Sequence, residues 1–244
     1  MQYRELAEMH AVEVDHWWFA GKRTLFKRLL RKRLAQPGLR ILDVGSGTGA
    51  VPQDFSQFGW VCATDRSVDA MRFAQQKNVA LVAVCDATSL PFADRSMDLL
   101  LAFDIIEHVE DDRSMLEELA RVLKPGGAAA IHVPAWPSMW SRHDEVLEHK
   151  RRYTRRSLRA LIDHSSLEIE YLGWASAAIL PPAFLLRGIR SADAPDKSAG
   201  NADIFSLPEP LNTIARGVYR VEAEIAATTG LPFGMSLAAI ARRP

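Results

Sequence analysis

Apolar residues along this chain fall into two alternating patterns. Short, nearly continuous apolar runs occupy 39–45, 60–65, 79–85, 97–104 and 127–134, and each reads as a buried strand. Between them, 49–58, 67–77 and 112–124 carry apolar residues at helical spacing, with Val51, Phe55 and Phe58 on one side of the first. Strand, helix, strand with short links predicts βαβ units and a parallel sheet. Ser67 is placed to cap the second helix, and Leu123-Lys124-Pro125-Gly126-Gly127 reads as a helix stop and turn before the fifth strand. Two more strands are expected near 168–175 and 235–242. Upstream, Leu25, Phe26, Leu29 and Leu30 line one side of a basic amphipathic helix, just after the cluster Trp17-Trp18-Phe19.

Composition narrows the class. At 244 residues and 48% hydrophobic, the chain can bury one large core as a single α/β domain. The formal net charge is zero, so no electrostatic footprint for nucleic acid is present. Cys62 and Cys85 both fall on expected strands and read as two buried thiols rather than a disulfide or zinc framework. Residues 175–189 are apolar but too short, and too interrupted by Pro181-Pro182, to span a bilayer; they read as core, lid or membrane-touching patch. The start Met-Gln-Tyr-Arg-Glu has no signal-peptide core, and a cytoplasmic protein, monomeric or homodimeric, is expected.

The densest chemistry is at 43–49, Asp43-Val44-Gly45-Ser46-Gly47-Thr48-Gly49. A glycine turn after a strand lets backbone approach a ligand closely, and a branched side chain at Gly47 would fill that approach. The bland alternative is a plain glycine-rich turn. A dinucleotide loop has to hold a pyrophosphate, which a carboxylate two positions before the first glycine repels. A cationic ligand suits Asp43 better, which favours S-adenosylmethionine, with its sulfonium and ammonium groups, over NAD. Asp65 stands about 20 residues on, where an acidic side chain can accept hydrogen bonds from both ribose hydroxyls.

This stretch resembles motif I of the class I S-adenosylmethionine-dependent methyltransferases, and the small-molecule branch related to methyltransferase type 11. The similarity covers about 36–175 strongly, including Leu-Lys-Pro-Gly-Gly at 123–127. It implies a Rossmann-like α/β fold: a seven-stranded, mostly parallel sheet with helices on both faces, the last strand inserted antiparallel. It also implies an N-terminal helical lid and a helical insertion before the last strand. The whole of 1–244 is then one methyltransferase domain: a cap at 1–35, a cofactor core at 36–175, an insertion at 176–233 with a mobile loop at 191–203, and a last strand at 234–244. Asp86 would take the adenine amino group and the Ala87 N–H a ring nitrogen. Arg23 would pair with the methionine carboxylate. Ser46, Gly49, Arg66, Phe103 and Asp104 complete the implied cofactor set, with S-adenosylhomocysteine as product.

Two further segments bear on an acceptor. Residues 134–154 contain Trp136, Trp140, His143, Asp144, His149, Arg152 and Tyr153. They resemble a "D…GH-x-RRYT" stretch in a branch of these enzymes, with Glu148 where that branch has glycine. Trp136, Trp140, Arg152 and Tyr153 are the substrate-contact candidates, and His143 and His149 the catalytic ones; a solvated basic loop is the alternative. His143-Asp144 with His149 fits no metal-ligand spacing, so no metal is expected. His108, in Glu107-His108-Val109 after the fourth strand, serves either as general base or as a packed pocket wall. The expected activity is in-line methyl transfer to a small-molecule or lipid-like acceptor. The alternative is a regulatory or partner protein that binds the cofactor without turnover.

Overall fold

Seven strands, β1 (Leu39–Val44), β2 (Gly59–Asp65), β3 (Leu81–Val84), β4 (Met97–Phe103), β5 (Leu123–Pro134), β6 (Glu168–Ala175) and β7 (Ser236–Arg242), make one sheet in a computed structural model. That structure describes residues 3–77, 79, 81–179 and 207–244. The loop expected at 191–203 and most of the apolar stretch 175–189 lie outside the described residues.

The strand order is β3-β2-β1-β4-β5-β7-β6, and only the pairings of β7 are antiparallel. This is the expected Rossmann-like seven-stranded sheet. Its order reverses between β1 and β4, the point where open α/β sheets leave a crevice at their carboxyl ends. The near-continuous apolar runs of β1, β4 and β5 follow from burial on both faces, whereas β3, read as buried, is an edge strand with Leu81 and Val84 exposed. Along β4, Leu100 and Ala102 pack with Met115, Leu116 and Leu119 of α6 (Asp112–Val122) and Leu158 and Leu161 of α8 (Arg155–Asp163). Leu99, Leu101 and Phe103 point the other way, onto Leu25 and Phe26 of α2 (Trp17–Leu29) and Ala223 and Ala226 of the long helix α9 (Glu209–Thr228).

Local chemistry sets the ends of these elements. Ser67 caps α5 (Val68–Gln76) by accepting from Ala70 N at 3.2 Å. Thr154 accepts from Ser157 N at 3.0 Å in a capping box that opens α8. The fifth strand starts at Leu123 rather than 127, because Leu123 already pairs with Met97. The expected turn survives as an irregularity in that ladder, with Gly126 at φ 79°.

The cap is three helices, not one. The first, α1 (Tyr3–Val12), sets Leu6 against Met71, Phe73 and Ala74 of α5. Trp17 of the Trp cluster packs onto α9, while the Phe19 ring lies under Lys22, which pairs with Asp104. Trp17 N donates to Asn212 Oδ1 at 2.9 Å and the Trp17 ring meets Tyr219 at 5.7 Å. A short α3 (Arg31–Leu34) follows, and the small helices α4 (Ala50–Phe55) and α7 (Arg142–Val146) fill the links after β1 and β5.

Candidate functional site

The glycine turn is held open by backbone conformation. Gly45, Gly47 and Gly49 have φ of 73°, 54° and 97°, a region that L side chains enter only at a cost. Gly45 N and Ser46 N both donate to Thr64 O, at 2.8 and 2.9 Å, which ties the turn to β2. Two buried atoms beside it, Asp43 Oδ2 and Ser46 Oγ, have no hydrogen-bond partner among the described residues. Burial pushes the Asp43 carboxyl well up, against the pull of the Lys22 ammonium. Orphaned acceptors beside an open glycine cradle fit a ligand with cationic and polar groups.

The leader reaches this turn through α1. Met9 lies over Gly47. Glu13, which follows α1, accepts from Thr48 Oγ1 and pairs with Lys77 Nζ at 2.7 Å; both side chains of the ion pair are 7% exposed. Nothing in the spacing of Glu13, Thr48 and Lys77 signals this cluster, since three separate elements supply it.

A cavity of about 420 Å³ opens from the turn along the carboxyl ends of the strands. Gly45, Asp65, Arg66, Asp86 and Ala87 line it together with Ile105, His108, Val109 and Lys150, and Gly45 packs directly on Ile105. Asp65 Oδ2 accepts from Gly47 N at 3.1 Å and its Oδ1 from Ser67 N at 2.8 Å. Asp86 Oδ1 accepts from Thr88 Oγ1 at 2.7 Å and Thr88 N at 2.8 Å, and these bonds lower the carboxyl's pKa.

A group that spans two loops sits around His108. Glu107 is fully buried and neither of its carboxyl oxygens has a hydrogen-bond partner among the described residues. Burial, then the neighbouring Asp104 charge, pushes its pKa well up. The His108 and His149 rings meet edge to face at 4.7 Å. Burial first, then His149, lowers the His108 pKa to about 4. The ring is therefore neutral across neutral pH and is a weak base, since an effective general base titrates near the working pH. His149 Nδ1 bonds Asp144 Oδ1 at 2.9 Å, and Arg152 Nε donates to the same oxygen at 2.6 Å.

Several sequence candidates are engaged elsewhere. The Arg23 guanidinium donates to Asp54 Oδ2 at 3.0 Å and to the carbonyls of Glu13 and Val14, so it fastens the leader to α4. Phe103 stacks on Phe26 at 4.2 Å as core. Asp104 pairs with Lys22 and, at 2.6 Å, with His132 Nδ1; burial alone would raise its pKa, but His132 and Lys22 drive it far below the usual carboxylate range.

The acceptor candidates divide in the same way. Trp136 stacks on Trp174 at 5.0 Å and donates its indole N–H to Gly234 O at 2.7 Å, while Trp140 lies 40% exposed. Arg152 also donates to Ala135 O at 3.1 Å, and Tyr153 OH donates to Asp112 Oδ2 at 2.9 Å. His143 is exposed on α7. None of these five lines the cavity. For Arg152 and Tyr153 the physical reason is that Tyr153 pairs back onto Ala135 after β5, while Asp144 and the Ala135 carbonyl draw Arg152 inward. Glu148 takes φ 59°, the left-handed conformation that a glycine at this place would adopt freely.

Residues 42–131 match the family model of a methyltransferase domain. The demethylmenaquinone methyltransferase of Corynebacterium efficiens is 30% identical over 196 residues, which is 72% of this chain and 85% of that protein. That of Corynebacterium urealyticum is 33% identical over 132 residues, 52% of this chain and 57% of its own length. Thus the chain spans about half the length of several curated relatives it matches, and most of the C. efficiens protein. A solved geranyl diphosphate C-methyltransferase from Streptomyces coelicolor A3(2), in complex with Mg2+, geranyl diphosphate and S-adenosyl-L-homocysteine, has the same fold. It aligns at a TM-score of 0.58 and 19% identity, over 88% of this chain and 78% of that one. With the 3-2-1-4-5-7-6 sheet and the acidic glycine turn at its switch point, this similarity across the chain's length has one source: the chain belongs to the class I S-adenosylmethionine-dependent methyltransferases.

Proposed function

We propose that this chain transfers a methyl group from S-adenosylmethionine to a small-molecule or lipid-like acceptor. The observation that carries the reading is one cavity lined by the glycine turn, by the carboxylates Asp65 and Asp86, and by Ile105, His108 and Val109. When bound, the cofactor supplies a methyl carbon already activated by its sulfonium. The lone pairs of Asp65 not taken by Gly47 N and Ser67 N suit the ribose hydroxyls, and Asp86 with Ala87 N suits the adenine edge. The orphaned Asp43 Oδ2 and Ser46 Oγ suit the polar end of the methionine part.

Methyl transfer needs the acceptor atom about 3–3.5 Å from the methyl carbon and in line with the breaking bond. Ile105 and Val109 exclude water there, and His108 positions the acceptor's polar group. Relatives named demethylmenaquinone methyltransferases favour a quinone-like acceptor with an apolar body and ring oxygens. None of the described helices is long and apolar enough to cross a membrane, so such an acceptor would be met without a spanning anchor among them. Within this reading, 1–35 serves as cap, 36–175 as cofactor core and 234–244 as closing strand.

Calorimetry with S-adenosylmethionine and NAD tests the cofactor, and transfer of labelled methyl to a reduced demethylmenaquinone analogue tests the acceptor class. Binding of S-adenosylmethionine with no response to NAD is expected, and the reverse would overturn the reading. Asp65→Ala is expected to weaken cofactor binding by about 1.5–3 kcal/mol, the worth of hydrogen bonds to a charged group. It also frees the Gly47 and Ser67 N–H groups, so unfolding midpoints should be measured beside affinity. Parent-like affinity in Asp65→Ala would remove this carboxylate from the site.

A further inference from the structure

We propose that Glu107, His108 and His149 form a binding site for one divalent transition-metal ion, beside the cavity at His108. One ligand atom from each of the three lies within 4.8 Å of the others. An ion about 2.0–2.2 Å from imidazole nitrogen and carboxylate oxygen gathers such a set by small rotamer adjustments.

Three independent features support an ion rather than simple packing. The first is the need of Glu107. Its side chain is fully buried and both oxygens lack partners, although buried polar atoms are nearly always satisfied. A cation there would satisfy both. The second is the orientation of His149. With Asp144 accepting from Nδ1–H at 2.9 Å, the lone pair falls on Nε2, at the opposite side of the ring. Asp144 is itself fixed by Arg152 Nε at 2.6 Å and Ser141 N at 2.8 Å. A carboxylate behind an imidazole is the usual outer support of a metal-bound histidine. The third is preorganisation. Lys150 N donates to Glu107 O at 2.7 Å and His149 N to Asp144 O at 2.9 Å, so the two ligand-bearing loops are bonded to one another.

Two imidazoles and a carboxylate suit zinc, iron(II), cobalt(II) or manganese(II), and not calcium or magnesium, which take mostly oxygen ligands. Three protein ligands leave coordination positions open. Of the three, His108 lines the cavity, through which an acceptor would reach an open position. An acceptor oxygen bound there would be held and polarised beside the methyl group, a role that rests on the methyl-transfer reading; metal binding itself does not.

The test uses the full chain, stripped by chelator and titrated with Co2+ while visible absorption is followed, and with Zn2+ by calorimetry and thermal melting. A single equivalent should bind, with ligand-field bands of nitrogen and oxygen coordination and a raised Tm. The isosteric Glu107→Gln should weaken binding by more than the roughly 10–100-fold expected for loss of an orienting partner. His108→Gln, at the cavity wall, gives the same reading should Glu107→Gln fail to fold. Absence of stoichiometric uptake, or equal uptake by parent and variants, would overturn the site. Affinity of the stripped parent for S-adenosylmethionine separates the two proposals: cofactor binding without metal uptake sinks only the metal site.

Discussion

Asp144→Ala is expected to lose about 3–5 kcal/mol of folding stability, the cost of removing one partner from a buried charge pair. Asp144 is fully buried and its two oxygens serve four donors. Oδ1 takes His149 Nδ1 at 2.9 Å and Arg152 Nε at 2.6 Å, and Oδ2 takes Ser141 N at 2.8 Å and Ser141 Oγ at 3.1 Å. The Arg152 side chain is only 7% exposed, so alanine leaves its guanidinium without a counter-charge in the interior, held only by the Ala135 carbonyl. Urea denaturation at neutral pH measures the loss as a shifted midpoint with an unchanged slope. The deficit should depend on pH in a defined direction. Burial works to raise this carboxyl's pKa, but the bonds from His149 and Arg152 prevail and hold it well below the usual range. A depressed folded pKa stabilises the protein above the ordinary carboxylate value of about 4, and that contribution is lost as pH falls below it. The gap between parent and variant should therefore narrow in acid. A deficit near zero at neutral pH would mean that water, not Asp144, satisfies Arg152.

Gly45→Val is expected to weaken S-adenosylmethionine binding more than about a hundredfold, over roughly 2.7 kcal/mol. Gly45 has φ 73°, which costs a branched L residue about 1–2 kcal/mol before any contact is counted. Its added Cβ would lie 2.6 Å from Ile105 Cγ1 and 2.8 Å from Ile105 Cβ, near the stem of that side chain. Relief would push the turn, or Ile105, into the cavity both residues line. At Gly47 the added Cβ meets only Met9 Cε, at 2.9 Å, the end of a flexible side chain, so Gly47→Ala should be milder. Calorimetry on both variants, with unfolding curves to confirm the fold, checks the order. Equal affinities for parent and Gly45→Val would dissociate the cavity from the cofactor.

The elements nearest the glycine turn were readable because their determinants are local. Asp43 and the glycines follow an apolar run in which both faces are buried, Ser67 precedes a helical pattern by one position, Asp65 ends β2 and Asp86 follows β3 by two residues. The parallel order followed from alternation, since a right-handed crossover leaves few arrangements for such units. The acceptor end was not readable in this way. Arg152 and Tyr153 had the residue types of a binding edge, but Tyr153 is taken by its bridge to Ala135 and its bond to Asp112, and Arg152 by Asp144. Arg23 had the charge to meet a carboxylate, yet Asp54, 31 positions later, takes it.

By itself, then, the sequence determined the strand and helix alternation, the glycine turn and the family's acidic strand ends, all written within a few residues of each other. Only the tertiary structure decided which polar groups remain facing the cavity. Glu107 and His149 are 42 positions apart by number, and Glu13, Thr48 and Lys77 come from three elements. Whether a charged side chain is a ligand or a fastener depends on its partners across the fold, and no local pattern records those.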